Sequence, residues 1–382
     1  MAGTFRADQV GSLLRPPELL KAREEFTSGQ ITREQLKEVE DACVLKALDM
    51  QKQTGIAVYT GGEYRRSGWA SIIRESVEGL VQTEGPANPR LLRPWQGPHA
   101  ALANSSIAVR GGILQTGLVA GRIRQVRRLV EDEAAFLKQH APGPWKITMP
   151  GAISAGGQLW KPGVTDQYYA SKREFIDEIA AMLQREIRAL VEDGVSYIQL
   201  DSLHYVERIA DPVVRQQMIE DGEDPDRYLD ELIEVDNSVL NVAKEYPNLT
   251  VGMHMCRGNN RSAWHAEGSY EPIAEKAFNL LNVDRFLLEY DTERAGGFEP
   301  LRFMPKDKMV VLGLISSKEP QLESIDDLRR RIDEAAKYVP FENLAVSPQC
   351  GFASTALGNL LTWDDQQRKL ELVAETARRV WG

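Results

Sequence analysis

Apolar and polar positions along the 382-residue chain alternate between two rhythms. Short runs rich in Val, Ile and Leu occupy 4–12, 56–60, 145–149, 196–200, 249–253, 286–290, 309–314 and 344–348. Several are apolar throughout, the pattern of strands buried on both faces. Between them, apolar residues recur at helical period. The stretch 167–192 places Phe175, Ile176, Ile179, Met182, Leu183, Ile187 and Leu190 on one face; 227–244, 271–281, 324–338 and 363–381 read the same way. Asp193-Gly194 closes the first of these helices, and Ser324 opens another as a cap.

Strand–helix alternation repeated eight times predicts an α/β fold: a closed parallel (β/α)₈ barrel, with a doubly wound open sheet as the competing arrangement. Residues 68–120 break the rhythm. They are rich in Gly and Pro, exceed one connecting helix, and carry short apolar runs at 107–109 and 112–118. This reads as an insertion after the second strand, folded beside or over one barrel mouth. No linker or low-complexity stretch divides the chain, so 1–382 reads as one domain.

Composition narrows the class. With 42% hydrophobic and 27% charged residues, the chain is an ordinary globular one. It has no apolar run of about 18 residues and no apolar signal-peptide core, so no membrane partner and a cytoplasmic location are expected. A net charge of −10 argues against a nucleic-acid partner. Three cysteines, Cys43, Cys256 and Cys350, are too few for a disulfide framework. Cys43 lies in a helical pattern and reads as a small core residue.

Chemistry in a barrel sits at the C-terminal ends of its strands. The runs end in Val10-Gly11-Ser12, Gly61-Gly62-Glu63, Gln199-Leu200-Asp201, His254-Met255-Cys256 and Glu289-Tyr290-Asp291, and the last leads into Gln349-Cys350-Gly351. On an extended segment, residues i and i+2 point the same way, so His254 and Cys256 can face one ion. Cys350 and Glu289 would complete a tetrahedral site. Soft sulfur with one nitrogen selects one Zn²⁺ per chain over hard cations. For an isolated His-x-Cys the alternative is a buried thiol and a hydrogen-bonded imidazole. Two thiolates and a carboxylate would leave the site at about −1. Such a zinc makes hydroxide poorly but suits lowering a thiol's pKa, with Glu289 giving up its place.

Glu63 and Asp201, near Ser12, can hold the ammonium of an amino-acid substrate; the alternatives are an ion pair of Glu63 with Arg65 or Arg66 and a structural Asp201. His204 is a candidate acid or base, or a loop hydrogen-bonding residue. The turn Arg257-Gly258-Asn259-Asn260-Arg261 can shape the site or bind an anion, or be a plain tight turn.

Five segments, 5–16, 62–66, 253–259, 286–291 and 347–353, together resemble the cobalamin-independent methionine synthase family, specifically its short single-barrel members. The resemblance implies a (β/α)₈ barrel, zinc ligation by His254, Cys256, Glu289 and Cys350, and contact of Ser12, Glu63 and Asp201 with the homocysteine amino-acid moiety. The chain also departs from the family's long members. Where these carry Asp-Ile-His after the seventh strand, with the His protonating the departing folate, this chain reads Leu314-Ile315-Ser316-Ser317. Where they carry Asp-Glu-Pro, it reads Gln-Leu-Asp-Ser around Asp201. Epoxyalkane:coenzyme M transferases look similar too; there a zinc-activated thiol opens an epoxide, and a sulfonate needs an Arg such as Arg257 or Arg65.

The expected function is therefore zinc-dependent alkyl transfer to a small-molecule thiol. Methylation of homocysteine from methyltetrahydrofolate or another methyl donor leads, and epoxide addition to coenzyme M is the alternative. A non-catalytic zinc-binding barrel and a related metal-free barrel decarboxylase are the remaining readings. A homo-oligomer fits the sequence as well as a monomer does.

Overall fold

The computed structural model describes residues 5–86, 94–109, 113–157 and 159–382, with 82–86, 105–109 and 113–117 described by backbone alone. A two-stranded antiparallel ribbon, β1 (Val77–Pro86) with β2 (Ile113–Gln125), stands apart from a parallel sheet of six strands. These are β3 (Lys146–Pro150), β4 (Tyr197–Ser202), β5 (Thr250–Met255), β6 (Arg285–Glu289), β7 (Met309–Ile315) and β8 (Leu344–Pro348), in that spatial order.

Two further staves close the sheet on itself. The amide of Asp8 donates to the Val346 carbonyl (2.9 Å) and that of Val346 to Arg6 O (2.9 Å), so the 5–12 segment lies along β8. On its other side Ala57 N–H reaches Ala7 O (2.9 Å), and the 56–60 segment pairs in turn with the start of β3 through Tyr59 N–H to Pro144 O (2.8 Å). Eight parallel staves form a closed barrel, and the open-sheet alternative falls away. Helices follow the staves as the periodicity predicts: Lys172–Asp193 ends on Gly194 in the left-handed region (φ 96°), and Ile325–Ala335 is capped by Ser324, which accepts from Asp327 N–H. Cys43 is buried on the helix Arg33–Thr54, as a core residue.

The barrel has two kinds of core. Most buried apolar residues pack between staves and helices in one cluster, while Val10, Leu287, Val311 and Ala345 fill the interior. Toward the N-terminal ends of the strands the interior is polar. Asp8 accepts from Lys146 Nζ (2.8 Å), Tyr197 OH (2.9 Å) and Arg285 Nη1 (3.3 Å), all buried. Burial alone would raise the Asp8 pKa, but the charges of Lys146 and Arg285 outweigh it and hold the carboxyl below its usual value. Removing one partner of such a group strands the others. Asp8→Ala is expected to cost about 3–5 kcal/mol of stability, read as a lowered midpoint in urea unfolding.

The insertion after the second stave contains the ribbon and the helix Ala100–Val109. The apolar run at 107–109 ends that helix, and 113–118 begins β2; residue 112 lies outside the described residues. Trp95 stacks on His265 (centroids 3.4 Å), Gln96 pairs through its backbone with Trp264, and His99 Nε2 lies 3.1 Å from Glu319. Those partners belong to the loops after β5 and β7, at the C-terminal end of the barrel. Among the described residues, no helix is long and apolar enough to cross a membrane.

Candidate metal centre

β5 runs out as His254-Met255-Cys256, β6 ends on Glu289, and Cys350 lies two residues past β8. One ligand-type atom from each of the four lies within 4.8 Å of the others, and all four residues are buried. The two sulfurs are 3.5 Å apart, and His254 Nε2 is 3.9 Å from Glu289 Oε1. β7 lies between β6 and β8 yet supplies no ligand. Its Gly313 explains how the flanking residues meet: a Cβ there would come within 2.7 Å of Gln349 Cα and 2.8 Å of Leu288 O.

The surroundings aim these side chains. His254 Nδ1–H donates to Leu287 O (3.2 Å), leaving Nε2 turned into the cluster, buried and without a hydrogen-bond partner. Anchoring one ring nitrogen on a carbonyl is how a metal-ligating histidine is oriented. Gly258, in the left-handed region (φ 85°), turns the chain so that its N–H donates to Cys256 Sγ (3.3 Å). Glu289 Oε1 accepts from Arg257 N–H (2.9 Å), and Oε2 from Arg294 Nη2 (3.0 Å) and Gln349 Nε2 (3.5 Å). Arg294 also pairs with Asp291 (2.8 Å) and lies over the Trp264 ring.

Charge in the cluster is satisfied by shared protons. The Cys256 thiol, donating to Cys350, lowers the Cys350 pKa to about 6, while that same bond and burial push Cys256 well up. Burial pulls His254 down, but Cys350, Asp201 and Glu289 carry it up to about 9. Burial would raise Glu289; Arg294, Lys318 and His254 keep it below the usual carboxylate range. Two protons, on His254 and Cys256, thus stand where one divalent cation would stand. The donor set of two sulfurs, one imidazole nitrogen and one carboxylate oxygen, with an orphaned Nε2, fits zinc.

Other expected site residues divide. Asp201, which pairs with His254 across β4 and β5, accepts from Gln199 Nε2 (2.7 Å). Burial first, and the nearby Glu63 and Cys350 charges, raise it to about 7 against the pull of His254. Glu63 sits in the left-handed region (φ 60°), a strained place for a non-glycine residue. Its Oε1 accepts from Thr148 Oγ1 (2.8 Å) and lies 3.7 Å from Arg66, whereas Oε2 is buried without a partner. Ser12 Oγ accepts from Ala353 N–H (3.3 Å) and packs so closely on Gly351 that a Cβ there would meet it at 2.0 Å. Ser12 therefore lies against the residue that follows Cys350.

His204 stands elsewhere: its Nδ1 bonds Tyr228 OH (2.6 Å), and burial together with Arg208 and Lys172 lowers its pKa to about 3. The Arg257 side chain donates to Gly268 O (2.7 Å) and lies over Tyr270, and Arg65 pairs with Glu40 and Asp41. Three residues around the cluster escape sequence reading. Arg294 and Tyr270, whose OH accepts from Glu289 N–H (2.9 Å), carry no local motif. Lys318 did carry a signal, as a lysine just past the end of β7.

A closed (β/α)₈ barrel with ligand-type side chains converging at its C-terminal mouth places them where barrel enzymes carry their chemistry. The chain matches the family model "Cobalamin-independent synthase, Catalytic domain" over residues 5–378 and belongs to that family. It is 37% identical over 384 residues to the uncharacterized protein YxjG of Bacillus subtilis, covering 99% of this chain and 95% of that one. It is 25% identical over 345 residues to the methionine synthase of Pyrococcus abyssi, covering 90% and 84%. Among solved structures it is similar to a putative vitamin-B12 independent methionine synthase from Listeria monocytogenes, with a TM-score of 0.69 and 27% identity over 100% of this chain and 99% of that one.

Proposed function

We propose that this chain transfers a methyl group to the thiol of homocysteine, giving methionine, with one zinc ion held by His254, Cys256, Glu289 and Cys350. The observation that carries the reading is the convergence of those four side chains within 4.8 Å, beside two buried carboxylates, one with an unpartnered oxygen. Zinc bound there supplies a Lewis acid that lowers the thiol pKa and keeps the sulfur nucleophilic at neutral pH.

The chain's own residues do the rest. Glu63 Oε2, which has no partner, and the Asp201 carboxyl receive the substrate ammonium. Ser12, pressed on Gly351, holds the other end of the amino acid next to Cys350. Arg294, Gln349 and the Arg257 amide retain Glu289 when the substrate sulfur takes its place, so the carboxylate needs no new home. His204, tied to Tyr228, positions the loop after β4. Residues 94–104 of the insertion, lying on the loops after β5 and β7, cap the mouth within the same domain. Arg65 is held by Glu40 and Asp41, and the pair of carboxylates Glu63 and Asp201 favours an amino-acid thiol over a sulfonate-bearing one.

The test is turnover by zinc-loaded protein of homocysteine with methyltetrahydrofolate and other methyl donors, beside coenzyme M with epoxypropane. Methionine formation supports the reading; turnover of only the second pair overturns it. A second expectation follows from the proton inventory. The metal-free cluster holds protons on His254 and Cys256 at neutral pH, and zinc needs both sites bare. Zinc binding is therefore expected to release about two protons per ion at pH 7, measured by calorimetry in buffers of different ionisation enthalpy. Affinity then falls as pH drops.

A further inference from the structure

We infer that Lys318 is the general acid of the transfer: its ammonium protonates the nitrogen from which the methyl group departs. The inference rests on the methyl-transfer reading above.

β7 lies between two staves that lead to ligands and gives none itself; Lys318 follows three residues past its end. The side chain is buried, with 2% of its surface exposed. Its Nζ donates to one neutral acceptor among the described residues, Asn259 Oδ1, at 2.8 Å. Asn259 is itself pinned by donating to Gly351 O (2.7 Å), the residue after Cys350. The ammonium is thus held over the Cys350 side of the cluster, close enough to feel the charges of Glu289 and Cys350. An ammonium has three N–H donors, and burying one with a single neutral partner is costly unless something else uses the remainder. Burial, the largest influence, lowers its pKa, which eases release of a proton.

The chemistry calls for such a group. In the transfer the sulfur–carbon bond forms as the carbon–nitrogen bond breaks, and the electron pair stays on nitrogen. An amide-like anion is a very poor leaving group, so nitrogen must take a proton as the bond breaks. Lys318 passes one from Nζ and becomes a neutral amine; the proton the thiol loses on binding balances it. Of the other proton carriers near the mouth, Asp201 is assigned to the substrate ammonium, and the rest are committed to other partners or do not titrate. His204 is bound to Tyr228, Tyr270 OH donates to Met255 O while accepting from Glu289 N–H, and the guanidinium groups of Arg257 and Arg294 do not release protons.

The test compares two methyl donors with homocysteine on the zinc-loaded full chain. Methyl iodide needs no proton, because iodide leaves unaided, and so reads only how nucleophilic the bound sulfur is. Methyltetrahydrofolate needs the proton. Lys318→Ala and Lys318→Arg are expected to lose about 10²–10⁴-fold in turnover of the folate while alkylation by methyl iodide stays within about twofold. Added methylamine is expected to restore part of the Lys318→Ala loss. Zinc content and homocysteine affinity of Lys318→Arg, which keeps the positive charge near Glu289 and Cys350, should match wild type.

Equal losses with both donors would overturn the inference and make Lys318 a charge that tunes the cluster. So would an unchanged folate rate, or a wild-type enzyme that alkylates homocysteine with methyl iodide but uses no N-methyl donor. Failure of wild type with both donors would instead sink the methyl-transfer reading itself.

Discussion

Cys350→Ala is expected to strip the protein of zinc at ordinary metal concentrations and to abolish turnover, whereas Glu289→Gln is expected to do so only when no thiol is present. The two differ because the ligands differ in role. Zinc held by four protein ligands is worth about 10–16 kcal/mol, so losing one costs about 2.5–4 kcal/mol, on the order of 10²–10³-fold in affinity. Cys350 lies past β8 with its sulfur 3.5 Å from Cys256, and among the described residues the cluster has no fifth ligand-type side chain to replace it. In the proposed exchange Glu289 is the ligand whose place the substrate sulfur would take, and it is already held by Arg294 and the Arg257 amide. Homocysteine should therefore restore most of the zinc affinity lost in Glu289→Gln and none of that lost in Cys350→Ala. Competition with a chromogenic chelator, with and without homocysteine, reads both. Equal rescue of both variants, or of neither, would contradict a displaceable Glu289.

Asp201→Asn and Glu63→Gln are expected to weaken homocysteine binding by about 30- to 10³-fold each, the range for truncating one partner of a buried charge pair. A thiol without an amino group, such as 3-mercaptopropionate, should bind either variant as it binds wild type. The reason is local. Glu63 Oε2 is buried with no partner, and Asp201 is pushed to about 7 by burial with Glu63 nearby. Two such carboxyls are an unfavourable pair until a cation comes between them. Equal loss for both thiols would show that these residues maintain the barrel mouth rather than recognise the amino group.

The alternation of apolar runs and helical stretches carries the barrel well, because parallel strands buried on both faces leave continuous Val/Ile/Leu runs. Six of the eight runs are regular strands in the structure; 5–12 and 56–60 are staves held by a few backbone bonds. The four-residue cluster is legible for a related reason: side chains at strand ends converge whatever their separation in sequence, so His254, Cys256, Glu289 and Cys350 stand out as ligand-type residues at three strand ends. What surrounds them is not legible. Arg294 reaches Glu289 from a short helical turn, and Tyr270 from a loop, through contacts that only the packing of the β5 and β6 loops creates. Tertiary packing likewise sets the partners of His204, bonded to Tyr228 of the helix Pro225–Leu240, and of the Arg257 side chain, which lies over Tyr270. The insertion shows Gly- and Pro-rich composition but not the long antiparallel ribbon, since register there is set between residues that are not local in sequence, such as Val77 with Gln125 and Pro86 with Ile113.

The central claim is that zinc in this barrel exists to exchange one protein ligand for a substrate sulfur. X-ray absorption at the zinc edge, recorded on the zinc-loaded protein before and after adding homocysteine, tests it directly. The account predicts loss of one oxygen scatterer and gain of one sulfur, from two sulfurs to three. A spectrum unchanged by homocysteine and by other thiols would mean a closed four-ligand site and would contradict it.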